Sequence, residues 1–158
     1  RSLGTTDPLV SNGGSLMPRQ CPFCGWFGVR AQRGAAIAFR VFPSLMLPRS
    51  VSVPMCLHCG RHFLDSSKEV ALTPTLTACY EARLRVMART TLRTLQRRGT
   101  PLRQLELTLG LSQGYLSRLS TGAGTPSPAL VALLALIADD PTRLAQIHRL
   151  WADQKGFA

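Results

Sequence analysis

Lysine is almost missing from this sequence: of its 158 residues only Lys68 and Lys155 carry that side chain. Acidic residues are scarce as well, 8 against 19 lysines and arginines, and the formal net charge is +11. The positive charge is therefore arginine, a planar and weakly hydrated fork that matches phosphate. An anionic partner follows, nucleic acid first; the competing explanation is an arginine-rich composition without a ligand. No stretch reaches the roughly 18 consecutive apolar residues of a membrane span, and no basic-then-apolar leader opens the chain. A cytoplasmic protein with no membrane partner is the expectation. There is no paired carboxylate at a credible site and no nucleophile beside an orienting base, so an enzyme is not expected. The cysteines number 5, an odd count without secretory context, which disfavours a disulfide framework.

Four of those cysteines fall in two matched pairs. Cys21-Pro22-Phe23-Cys24-Gly25 is followed, 31 residues later, by Cys56-Leu57-His58-Cys59-Gly60. A two-residue spacer lets both thiolates of such a knuckle reach one tetrahedral ion, about 2.3 Å from each sulfur. The glycine after each pair suits a turn with φ > 0, where backbone N–H groups can face the sulfurs. Disulfides, an iron–sulfur cluster and a redox pair are the competing readings, and zinc is preferred. Four thiolates close the coordination sphere, which leaves no position for catalytic water. The role expected of the zinc ion is folding, because a short, proline-broken segment has little core of its own. His58 and His62 are expected to be surface residues, and Cys79 a buried free thiol.

The fold class expected is α+β, a small zinc-ribbon-like β domain followed by an all-α helix-turn-helix domain. Residues 1–19 read as a disordered tail or appended remnant, with Met17 a plausible natural start. Residues 20–70 would form the zinc-binding domain, 71–99 a basic linking helix and 100–158 the DNA-binding and dimerisation domain. In the first domain, Ile37, Phe39 and Val41 alternate, as do Val51, Val53 and Met55, suggesting short strands interrupted by Pro43, Pro48 and Pro54. A helix is expected over 74–98, with Thr73 as N-cap, Pro74 in the first turn and a stripe of Leu76, Tyr80, Leu84, Met87, Thr91 and Leu95. The spacing leaves open whether this is one helix or two.

Downstream, Leu102, Leu105 and Leu109 face inward from one short helix, and Gly110 ends it. Ser112 is expected to cap a second helix through about Leu119, anchored by Leu111, Leu116 and Leu119. A third, apolar nearly all round, spans 129–138. Asp140-Pro141 caps a last one bearing Leu144, Ile147, Leu150 and Trp151. The second helix would enter the major groove N-terminus first, presenting Ser112, Gln113, Gly114, Tyr115, Ser117 and Arg118 to DNA. Gln113 suits adenine, and Arg118 suits guanine or a phosphate. The helix amides, Thr121 and Thr125 would hold phosphates, and arginines of the preceding helix would add salt-dependent affinity. Leu130, Leu133, Ile137, Leu144, Ile147 and Trp151 would be shared between the core and a two-fold interface matching a palindromic operator on double-stranded DNA.

The stretch Leu109-Gly110-Leu111-Ser112-Gln113-Gly114-Tyr115-Leu116-Ser117-Arg118-Leu119, with Gly122 and Pro126 after it, resembles a Cro/repressor-type (XRE-like) helix-turn-helix. With the two cysteine knuckles before it, the order resembles the MqsA (YgiT-type) antitoxins. That resemblance implies a structural zinc, an N-terminal domain that binds a ribonuclease toxin, and a dimeric C-terminal domain that represses its own promoter. The cysteines match, and Ser117-Arg118 matches the family's recognition-helix Ser-Arg, whose arginine reads DNA. The family's DNA-reading asparagine falls at Gly114, which implies a different base preference. Glu106 stands where a small residue is usual, so its carboxylate must swing outward or be paired. The reading is a zinc-stabilised DNA-binding transcriptional regulator, a repressor and candidate antitoxin; the alternative is an interaction adaptor whose helices only dimerise.

Overall fold

The structure is a computed structural model that describes residues 20–64 and 66–153. The tail expected over 1–19 lies outside the described residues. Strand β1 (Val29–Arg33) pairs antiparallel with β4 (Ser52–Cys56), and between them β2 (Ala36–Phe39) forms a hairpin with β3 (Phe42–Met46). Five helices follow among the described residues: α1 (Ser66–Arg97), α2 (Leu102–Thr108), α3 (Tyr115–Thr121), α4 (Pro128–Asp139) and α5 (Thr142–Asp153). The architecture is α+β, as composition and patterning implied. None of these helices is long and apolar enough to cross a membrane.

The strands depart from the expected pattern in instructive ways. Ile37 and Phe39 lie in β2, but Val41 belongs to the hairpin turn and is exposed, beside Arg40 at φ 50°. Pro43 and Pro54 do not break strands; they sit inside β3 and β4. Each sheet has only two strands, and beyond β1 the edge of β4 meets only the short Met55–His62 bridge, so the missing proline N–H is tolerated. The carbonyl of Pro54 still accepts from the Phe63 N–H at 3.1 Å.

Helix α1 is one continuous rod of 32 residues that starts eight residues before the expected Pro74. Pro74 removes one i→i−4 bond and crowds the preceding turn, a cost of about 3 kcal/mol in an isolated helix. Thr73 is no cap; its hydroxyl donates to the Glu69 carbonyl at 2.8 Å. Packing on both sides of the proline keeps the helix intact. Leu72 and buried Leu76 lie against Ala35, Leu47 and Val53 of the strand region. Further along, Tyr80, Leu84 and Ala88 pack with Leu45 of β3 and Val131 of α4. The last turns carry Leu92 and Leu95 into a core with Leu105, Leu116, Leu119, Leu134 and Ile137. Each fully buried leucine there contributes roughly 2–3 kcal/mol.

The expected stripe on α1 is right through Leu84 and then slips by one. Ala88 and Leu92 are buried where Met87 and Thr91 were expected, and Leu95 returns to register. Helix α1 thus runs through all three clusters and fixes the strand region relative to the short helices. Arg85 reinforces this: its guanidinium bonds Glu81 at 2.9 Å and the Thr125 hydroxyl at 2.7 Å, clamping the loop between α3 and α4.

Candidate functional site

The four cysteines converge. Their sulfurs all lie within 4.8 Å of one another, with Cys21–Cys59 at 3.7 Å and Cys24–Cys56 at 3.6 Å. A tetrahedron with arms of about 2.3 Å has edges of about 3.8 Å, so these spacings are those of ligands around one ion. They are far beyond the roughly 2.05 Å of a disulfide, and all five cysteines are free thiols. The residues present fit a tetrahedral metal ion held by sulfur. Neither His58 nor His62 belongs to the cluster. His58 is exposed, whereas the partly buried His62 shares a 2.7 Å hydrogen bond with Gln32. Cys79 is half-buried against the middle of α1's core rather than fully buried.

The two knuckles repeat one hydrogen-bond scheme. Gly25 N–H donates to the Cys21 carbonyl and Gly60 N–H to the Cys56 carbonyl, both at 2.9 Å. Cys21 N–H donates to Trp26 and Cys56 N–H to Arg61, at 2.9 and 3.0 Å. Gly25 and Gly60 each adopt φ +70°, a region costly for any residue with a Cβ. Local geometry therefore presents both cysteine pairs alike, and pairing of β1 with β4 brings the knuckles face to face.

Without metal the thiols hold their protons unequally. The backbone N–H of Cys59, then that of His58 and the thiols of Cys24 and Cys21, draw the Cys56 thiol down to about 6 against the opposing effect of desolvation. At Cys24 the Trp26 N–H acts to lower the value, but desolvation and the other three thiols outweigh it and push it up to about 12. Metal binding must displace the Cys24 proton throughout the neutral range, whereas Cys56 yields one only below about 6. Proton release per ion is expected to rise by up to about one as pH falls from about 7.5 to about 5, with affinity falling in step. Calorimetric titration in buffers of different ionisation enthalpy measures this; constant release across that range would contradict it.

The second candidate site is the α2–α3 pair. Ser112 does not start a helix: it and Gln113 lie in an exposed turn, and α3 begins at Tyr115 after Gly114 at φ 76°. Gly114 offers no side-chain cap. Glu106 supplies it from α2. That residue is only 4% exposed, and its two carboxylate oxygens accept from the N–H groups of Gly114 at 3.0 Å and Leu116 at 2.9 Å. A buried anion at a helix N-terminus is stabilised by the orphan amides and the helix dipole. Those amides are consequently unavailable to a phosphate, contrary to the sequence expectation for this helix end.

Of the residues expected to face DNA, Ser112, Gln113, Ser117 and Arg118 are exposed. Gly114 is half-buried, and Tyr115 is partly buried against the helical core beside Leu116 and Leu119. The Thr121 hydroxyl donates to the Arg118 carbonyl at 2.8 Å, and Thr125 accepts from Arg85. Arg85 of α1 and Arg98, just past its end, are engaged internally, Arg98 through the Ala138 carbonyl. Among the residues expected at a two-fold interface, Ile137 is buried within its own chain, and Leu130, Leu133, Leu144 and Ile147 pack on the same core. The large apolar side chains exposed on α4 and α5 are Leu136, Leu150 and Trp151. The Trp151 N–H is tied to the Thr108 carbonyl at the end of α2, at 2.9 Å.

No protein-family model matches the chain, and no curated protein matches it. The site must therefore be read from its own chemistry.

Sequence reasoning anticipated the metal ligands and missed the capping role of Glu106. The signal was present in two oddities: a glutamate at a position that favours small residues, and a glycine opening a helix eight residues later.

Proposed function

We propose that this chain is a zinc-stabilised, sequence-specific DNA-binding regulator that acts as a repressor. In this reading α2 and α3 form the helix-turn-helix and α3 reads the major groove. The observation that carries it is the chemistry of α3's outer side. Gln113, Ser117 and Arg118 are exposed there, and no acidic residue occurs from Leu107 to Ala138. Glu106, the carboxylate that precedes this stretch, is turned inward and accepts from two backbone amides. A surface so free of negative charge, on a helix anchored by buried Leu116 and Leu119, suits a polyanion read by its base edges.

Zinc is the ion that four thiolates at tetrahedral spacing favour, and the closed set assigns it to folding rather than hydrolysis. A homodimer is part of the proposal, with Leu136 and Leu150 the apolar side chains free to meet a second copy and a palindromic operator the target. The resemblance to MqsA-type antitoxins extends the reading to a toxin held by the metal domain. Co-purification of a small ribonuclease encoded beside this chain would support that extension.

Gel-shift titration against the DNA upstream of its own gene tests the main reading. Arg118→Ala should weaken specific binding by about 1–3 kcal/mol while leaving the fold intact, since Arg118 is exposed. Specific binding undiminished in this variant would remove α3 from the interface. The alternative, an adaptor whose helices only dimerise, is separated by salt. Arginine–phosphate contacts weaken steeply between low and physiological salt, and an apolar protein interface hardly responds.

A further inference from the structure

The metal end of the molecule carries a feature that neither metal binding nor duplex reading uses. Each knuckle stacks its third residue on the sixth residue of the other. Arg61 of the second knuckle lies 5.1 Å over the Phe23 ring, and Trp26 of the first stacks on His58 with centroids 4.9 Å apart and planes at 21°. These crossed pairs flank the four cysteines and remain open to solvent: Phe23 is 54% exposed, Trp26 56% and neighbouring Phe27 61%. None of the three is needed to fill a core, because the nearest cluster consists of Ala35, Leu47, Val53 and Leu76 with their aliphatic neighbours and Phe39.

Charge says what would cover them. From Gln20 to Leu64 there are five arginines and no acidic residue. A tetrathiolate zinc site subtracts two charges, and the segment stays positive. Arg30 on β1, three residues after Phe27, and Arg61, which lies over the Phe23 ring, are both exposed. Flat half-covered rings among guanidinium groups match a ligand with both π faces and phosphates. In a duplex the base faces are already stacked on one another, so Trp26 and Phe27 would gain nothing from it. In a single strand they are free.

We infer that the metal knuckles form a second nucleic-acid site, which binds single-stranded nucleic acid by stacking bases on Trp26 and Phe27 while Arg30 and Arg61 hold phosphates. This site does not depend on α3 reading duplex DNA, and the two fail separately. The test uses the full zinc-loaded chain and a fluorescent oligothymidylate of about 12 nucleotides, within the usual site size for such surfaces, at about physiological salt. The Trp26→Ala/Phe27→Ala variant is expected to lose about tenfold or more in affinity at unchanged zinc content, while Trp26→Phe stays within a few-fold and Arg118→Ala binds as the parent does. Equal binding by the double-alanine variant would overturn the proposal. So would equally effective competition by a blunt duplex or by polyglutamate, the latter marking an acidic protein as the partner. Loss of zinc from the double variant is checked against Phe27→Ala alone, which leaves the Trp26–His58 stack in place and should still weaken binding several-fold.

Discussion

Removing the metal is expected to unfold residues 20–64 while most of the helical signal survives. The strand region has its own cluster of four buried side chains, Ala35, Leu47, Val53 and Leu76, the last borrowed from α1, and buried Leu45 joins the next cluster along α1. Its sheets are two-stranded, and two-stranded ribbons are marginal in water on their own. A structural zinc ion supplies about 10–16 kcal/mol of apparent binding free energy, comparable with the roughly 5–15 kcal/mol that holds a whole domain. Without the ion the ordering entropy of this segment has nothing comparable to oppose it. The helical core around Leu92, Leu105, Leu116, Leu134 and Ile137 shares no residue with the knuckles and should persist. Hydrogen exchange before and after chelation gives the readout: amides in β1 and β4 should lose protection, and those of α3 and α4 should retain most of theirs. Cys24→Ser should reproduce the chelated state, and Cys79→Ser should not. Full protection of β1 and β4 in metal-free protein would show that the strands stand alone.

The second large effect is expected at Glu106. Replacing it by alanine, the kind of residue usual at that position, should destabilise the protein by about 2–4 kcal/mol. Two backbone N–H groups would lose their charged acceptor in a buried site, and hydrogen bonds to charged groups are worth about 1.5–3 kcal/mol each. Helix α3 has only 7 residues and too little intrinsic stability to form without its cap and its packing. Glu106→Gln should fall between, because its amide oxygen can serve one N–H but its NH2 faces the other. Thermal denaturation of the three proteins at neutral pH reports the order. An alanine variant as stable as the parent would mean that α3 is held by Leu116 and Leu119 alone.

This cap joins two positions at which the sequence departs from the motifs it resembles: Glu106, where a small residue is expected, and Gly114, where a DNA-reading asparagine is expected. The two meet in one hydrogen bond, Gly114 N–H to the Glu106 carboxylate. The turn at Gly114 has φ 76°, where a Cβ is strained. Helix α3 is capped by a side chain reaching across from α2, and that pairing is invisible when each position is compared alone.

The four-cysteine cluster was legible because the spacing within each pair suits one ion's geometry over a few residues of chain. The α2, α3 and α4 boundaries were nearly legible because glycine and proline punctuate them. What could not be read depends on distant partners. Strand β1, Val-Arg-Ala-Gln-Arg, alternates only Val29 with a small, exposed Ala31 and buries no side chain fully; it is a strand because β4 lies beside it. The first two turns of α1 hide behind Pro74, whose usual meaning is a helix start, and are held by Leu72 and Leu76 packing on the ribbon. The burial of Ala88 and Leu92 in place of Met87 and Thr91 is a run of four-residue steps that drifts off the 3.6-residue period, toward the side where α4 approaches through Val131. Ile137, expected to be shared between the core and a two-fold interface, is buried in the chain's own core.

The measurement that bears most directly on function is amide mapping by NMR of the zinc-loaded protein during titration with a duplex from its own upstream region. The expected result is perturbation concentrated at Ser112, Gln113, Ser117 and Arg118, saturating at one duplex for two chains and absent with a scrambled duplex. Perturbation confined to the metal knuckles or α5, with α3 unmoved, would contradict the account.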